Sequence, residues 1–132
     1  MKRLKRRSEA GFTLLELLVV IAIIGILAAI AIPQFGGYRR RGFDAEVRSS
    51  VRNLMTAQEA YFLDTDTYAS GNGSDTKFTS RGYRDNPDVS ITTTGTAIDF
   101  TVTGTSVVGC SAGTGVWTYD SSTGLTVGVD CS

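Results

Sequence analysis

The sequence predicts an α+β fold, a long N-terminal α-helix whose C-terminal half packs on a small antiparallel β-sheet. Three observations predict it. Leu17 to Ile32 reads LLVVIAIIGILAAIAI, without one polar side chain. Beyond Pro33, residues recur at helical spacing as Phe43, Val47, Val51, Leu54, Met55, Gln58, Tyr61 and Phe62. From Val89 onward the pattern changes to alternation, the period of a strand.

The chain opens on Lys2, Arg3, Lys5, Arg6 and Arg7 against the single acid Glu9. Over all 132 residues, 13 Lys+Arg cancel 13 Asp+Glu, so the rest of the chain is acidic. A basic tip of this kind reads as a topology or targeting device rather than a nucleic-acid face. The apolar run, extended back to Phe12, is broken only by Thr13 and Glu16. As a helix rising about 1.5 Å per residue it spans the roughly 30 Å of bilayer hydrocarbon. The basic residues before it favour a cytoplasmic N-terminus.

Gly36, Gly37, Arg39–Arg41 and Gly42 mark the exit from the apolar zone. One helix is predicted over 12–63, with Asp44, Glu46, Arg48, Arg52 and Glu59 on the faces away from its apolar stripe. That stripe needs a covering layer. Ser, Thr and Gly make up 34 of the 68 residues from 65 to 132, which suits either disorder or short strands with tight turns. Alternation decides for strands. Val89-x-Ile91 leads to a turn at Thr94-Gly95, and Ile98-x-Phe100-x-Val102 returns. Trp117-x-Tyr119 leads through Asp120–Gly124 to Leu125-x-Val127-x-Val129. Residues 64–88 are predicted to be a connecting loop, with Asn72-Gly73 and Asn86-Pro87 as breakers.

Composition removes several chemistries. There is no histidine, so a Ser-His-Asp triad, a Cys-His pair and a His-ligated metal are excluded. Two cysteines are too few for a zinc site. Asp64, Asp66, Asp85 and Asp88 lack the spacing of a calcium loop. No metal, no cofactor and no enzymatic activity are expected.

Three readings compete for the apolar segment: a plain signal anchor, a secretory signal cut after Ala29-Ile30-Ala31, and one that uses Glu16. An unpaired carboxylate costs a few kcal/mol in lipid, which a cleavable signal has no reason to carry. Gly11-Phe12-Thr13-Leu14-Leu15-Glu16, after a short basic leader and before an apolar run, resembles the type IV prepilin signature. The likeness continues through Leu17–Pro33 and Gln34-Phe35, and more loosely through Arg52–Tyr68. It implies that a prepilin peptidase and methyltransferase cuts after Gly11 and methylates Phe12. Residues 1–11 would then be a removed leader, 12–35 the transmembrane and filament-core half of the helix, and 36–132 a pilin head. The implied protein is a structural subunit, single-pass in the inner membrane with its N-terminus cytoplasmic. Inner-membrane pilus assembly machinery would polymerise it by helix packing into a homopolymeric fibre on the cell surface. Adhesion, motility, DNA uptake and electron transfer stay open, and nucleic acid would be a partner only at the level of the filament. The alternatives are a type II secretion pseudopilin or minor pilin and, from another class, a secreted β-rich binding module.

The resemblance also implies residue roles. Glu16 would pair with the α-amino group of Phe12 on a neighbouring subunit during assembly, against the plain alternative of a tolerated polar residue. Gly25 and Pro33 would bound a hinge, helical in the membrane and partly extended in the fibre; small and kinking residues are also ordinary in membrane helices. Cys110 and Cys131 flank the last hairpin, and export to an oxidising compartment makes a disulfide the default, with buried free thiols as the alternative. Pilins similarly close a C-terminal loop. Phe12, Phe35, Tyr38, Phe43, Phe62 and Tyr68 match aromatic positions of short pilins proposed to carry charge, whereas packing is the ordinary role of aromatics on a helix stripe. Arg39–Arg41 would face solvent, lipid headgroups or the carboxylates of a neighbouring head.

Overall fold

The computed structural model describes residues 11–132, so residues 1–10 of the expected leader 1–11 lie outside the described residues. Helix α1 runs over Leu14–Thr65. It ends where Asp66 takes a left-handed conformation, φ 55°, and its amide donates to the Phe62 carbonyl at 2.8 Å. Then follow β1 (Gly71–Asn72), α2 (Thr76–Thr79), β2 (Val89–Gly95), β3 (Phe100–Ser106), β4 (Val116–Asp120) and β5 (Leu125–Val129). The strands form one antiparallel sheet in the order β1-β2-β3-β4-β5. The chain divides into two compact units, one ending at Gly36 and the other Gly37–Ser132.

From Leu14 onward the first unit is helix. Its large apolar side chains are exposed among the described residues: Leu14 is 80% exposed and Ile32 70%. The second unit is the head. Val47, Val51, Leu54 and Ala57 of α1 pack with Phe78 of α2, Tyr83, Val89 and Ile91 of β2, and Phe100 and Val102 of β3. Gly104 permits the close approach of helix and sheet. A Cβ there would lie 2.9 Å from Val47 Cγ1 and 2.9 Å from Val51 Cγ2. Trp117 and Tyr119 of β4 extend this layer from its edge.

The apolar stripe has polar ends. Asp44, Val47, Val51, Leu54 and Gln58 follow steps of three and four, and all five are buried. Gln58 pairs with the Ala69 backbone, accepting from its amide at 3.0 Å and donating to its carbonyl at 2.5 Å, and donates to Thr93 Oγ1 at 2.7 Å. A buried amide satisfied in this way fixes helix, connector and sheet in one register.

Four expectations are corrected. Asp44 does not lie on a solvent face; it is 6% exposed. Residues 64–88 are not one loop, because Asn72 and Asp75 form a side-chain-supported turn that joins β1 to α2. That turn carries Phe78 into the core, where it is fully buried. The β2–β3 reversal lies at Thr96–Asp99 rather than Thr94-Gly95. Thr96 Oγ1 accepts from the Ile98 and Asp99 amides there, while Gly95 still pairs with Phe100. Ile98 therefore sits on the turn, 85% exposed, instead of lining the inner face. Finally, α1 starts and ends two residues later than the predicted 12–63, because Thr13 caps it and Asp66 stops it.

Candidate functional site

The segment Gly11–Thr13 is non-helical and open. Gly11, Phe12 and Thr13 precede the first turn of α1, Phe12 is 86% exposed, and a Cβ at Gly11 would meet nothing within 4 Å. Thr13 and Glu16 form a reciprocal cap. The Glu16 amide donates to Thr13 Oγ1 at 3.2 Å, while Glu16 Oε2 accepts from the Thr13 amide at 3.0 Å and its hydroxyl at 2.8 Å. This is the capping-box arrangement, with Thr at the N-cap and Glu three residues on. It satisfies two of the orphan donors of the helix start and aims the carboxylate at the chain's own N-terminal side. The Glu16 side chain is thus engaged within the subunit. Its Oε1 makes no hydrogen bond among the described residues.

Gly25 and Pro33 both lie inside the continuous helix, and Pro33 is its only proline. Proline contributes no amide to the ladder and glycine no side-chain packing. Cys110 and Cys131 form a disulfide with Cα atoms 5.0 Å apart, closing the loop that contains β4 and β5.

Of the six aromatic candidates, Phe12 and Phe35 belong to the first unit and Tyr38, Phe43, Phe62 and Tyr68 to the head. Phe12, Phe35 and Tyr38 are exposed, and Phe43 stands under the Arg39 guanidinium at 5.9 Å. Only Phe62 and Tyr68 stack, at 4.6 Å between ring centroids. Tyr68 then meets Phe100 at 4.6 Å, and Phe100 meets Tyr119 at 5.8 Å. This row of rings joins α1 to the sheet as packing.

Sequence reasoning passed over a second constellation, which holds the end of the chain. Asp44 accepts from the Cys131 amide at 2.9 and 3.1 Å and from Trp117 Nε1 at 3.3 Å. One helical turn on, the Arg48 guanidinium lies 3.6 Å from the centre of the Trp117 ring and pairs with Asp130 at 3.1 Å. The signal was present: Asp44 continues the three-and-four spacing of Val47, Val51 and Leu54. Reading charge as exposure concealed it.

An open, basic-led Gly-Phe-Thr segment, a capped apolar helix and an antiparallel head are the attributes of prepilin-like proteins. Residues 6–32 match the family described as "Prokaryotic N-terminal methylation motif". The chain is 49% identical over 59 residues to the type IV major pilin protein PilA of Myxococcus xanthus, a match covering 45% of this chain and 27% of that protein. It is 45% identical over 64 residues to the type IV wide pilus major component PilA4 of Thermus thermophilus, covering 48% and 49% of the two. It is also 40% identical over 65 residues to the type II secretion system core protein G of Klebsiella michiganensis, covering 49% and 46%. The motif and the pilin matches support a type IV pilin. In every one of these pairs the match spans less than half of the relative's own length.

Proposed function

We propose that this chain is a structural subunit of a type IV pilus. Prepilin peptidase cuts it between Gly11 and Phe12 and methylates the Phe12 amine. The processed subunit waits as a single-pass protein of the inner membrane, N-terminus cytoplasmic, and assembly machinery adds it to a homopolymeric surface fibre. The observation that carries this reading is the apolar helix of the first unit, whose large apolar side chains from Leu14 to Ile32 are exposed among the described residues. Lipid covers it before assembly, and the same surface on other copies covers it afterwards, out of lipid and water alike. Once in the fibre, the segment between Gly25 and Pro33 is partly extended, which lipid would not tolerate.

Glu16 supplies the register. Cleavage creates a positive amine on Phe12, and an incoming subunit sets that amine against the Glu16 of a docked one. Each charge then offsets the other's desolvation. The capping box supports this geometry, because Thr13 occupies Oε2 and leaves Oε1 to accept.

The experiment uses Gly11→Asp, Glu16→Ala and Glu16→Gln, with immunoblotting of cells and of sheared fibres and mass spectrometry of the mature N-terminus. Gly11→Asp is expected to accumulate as precursor. Both Glu16 variants are expected to be cleaved to Phe12 and inserted, yet to yield few fibres. Glutamine serves a capping box as glutamate does, so wild-type fibre yield from Glu16→Gln would reduce Glu16 to a helix cap. A mature N-terminus at Ile32 would identify a secretory signal instead. A subunit incorporated only in trace amounts into fibres would support the minor-pilin or pseudopilin alternative.

A further inference from the structure

Within the head, the start of its helical stretch and the last residues of the chain border an open cavity of about 530 Å³. Arg40, Arg41 and Arg48 line it together with Asp44 and Asp130. Its donors outnumber its acceptors. Both Asp44 oxygens accept from the Cys131 amide, and one also from the Trp117 indole; Asp130 Oδ1 is taken by Arg48. Arg48 Nε is buried with no acceptor. Arg40 and Arg41 make no hydrogen bond or ion pair among the described residues; the Arg41 guanidinium lies only over the Tyr38 ring, at 5.9 Å.

Three guanidinium groups around such a space suit an oxyanion with several acceptor oxygens, and the planar fork of arginine matches phosphate. Arg40 follows Phe35, the last residue of the predicted membrane segment, by five positions. In a membrane-inserted subunit, the first phosphates these arginines encounter are those of lipid headgroups. We propose that the cavity binds the phosphate of an anionic phospholipid while the subunit resides in the membrane. The phosphate chemistry stands on the head alone; the lipid source rests on the membrane-resident subunit proposed above.

Trp117 is the chain's single tryptophan and touches both Arg48 and Asp44, so its fluorescence reports on the cavity. The mature full-length chain in non-ionic detergent is titrated with inorganic phosphate. It is also reconstituted into vesicles of phosphatidylcholine, with and without phosphatidylglycerol. Saturable change in Trp117 emission is expected with phosphatidylglycerol and none with phosphatidylcholine alone. Free phosphate is expected to act at a concentration at least tenfold higher. The double variant Arg40→Gln/Arg41→Gln, which leaves the Arg48–Trp117 contact intact, is expected to weaken the lipid response at least tenfold while co-floating normally with phosphatidylcholine vesicles. Equal responses from the two vesicle types, or from wild type and variant, overturn the site. A response to free phosphate alone overturns the lipid assignment. A variant that responds to phosphatidylglycerol like wild type but forms no fibres assigns the arginines to a neighbouring subunit's carboxylates and overturns it too. Failure of the wild type to float with any vesicle counts against the membrane reading and leaves the detergent titration as the test of the cavity.

Discussion

Replacing Asp44 by alanine should release the end of the chain. Its carboxylate is buried and accepts the Cys131 amide through both oxygens, at 2.9 and 3.1 Å. A hydrogen bond to a charged group contributes about 1.5–3 kcal/mol, and a buried amide left without a partner costs about 1–3 kcal/mol. The Trp117 indole bond is longer, at 3.3 Å, and its ring is only partly buried, so water replaces Asp44 there at little cost. Because Asp44 lines the cavity, water also reaches part of the space the carboxylate leaves. The expected loss is therefore about 2–3 kcal/mol, below the sum of the separate contributions. For a domain of roughly 100 residues that lowers Tm by about 10 °C. The assay is thermal unfolding of the mature chain in detergent, followed by Trp117 emission. Asp130→Ala is the control, since it removes only an exposed ion pair with Arg48 and should cost less than about 1 kcal/mol. Asp44→Asn keeps the size and one acceptor oxygen and should fall between the two. If Asp44→Ala melts within about 2 °C of wild type, or no lower than Asp130→Ala, the clamp does not act as described.

Three further outcomes follow from the packing of the head. Gly104→Ala should destabilise it by about 1–3 kcal/mol in urea titration, because the new methyl group would meet Val47 and Val51 at 2.9 Å and one layer must shift. Replacing Cys110 and Cys131 together by serine should cost roughly 3 kcal/mol, the chain-entropy value for opening a loop of sequence separation 21; unchanged urea midpoints would remove the constraint attributed to that bond. Tyr83 should make the head alkali-sensitive. Burial, with the charge of Asp85 as a lesser cause, pushes its hydroxyl up to about 12. Its contribution is intact below the ordinary tyrosine value of 10. As pH rises from about 10 to 12 the unfolded chain loses this proton while the folded one keeps it, and about 1.4 kcal/mol per pH unit disappears. Tyr83→Phe should flatten that slope relative to wild type. At neutral pH it should change stability by less than about 1 kcal/mol, since the nearby Ser50 side chain is the one polar neighbour the buried hydroxyl could lose.

Sequence alone was sufficient for the long apolar helix, the helix stripe and the last hairpin. Each is written in near neighbours: uninterrupted apolarity, steps of three and four, or alternation broken by Asp120–Gly124. The disulfide pair could be nominated on the same page, because compartment and loop position both argued for it. Where the reading went astray, the deciding partner lay far along the chain. Asp44 looks like a surface acid until Cys131, 87 residues away, presents an amide that needs an acceptor. The connector looks like a loop until β2 offers Asn72 and Gly71 an edge and the core offers Phe78 a place. Ile98 looks like a strand residue until the Thr96 hydroxyl captures the turn amides two residues before it. The row of rings from Phe62 to Tyr119 and the arginine-lined cavity share this origin. Periodicity records which side of its own element a residue occupies. It does not record which donor, ring or charge the opposite layer brings to that side, and burial of polar groups is decided by that meeting.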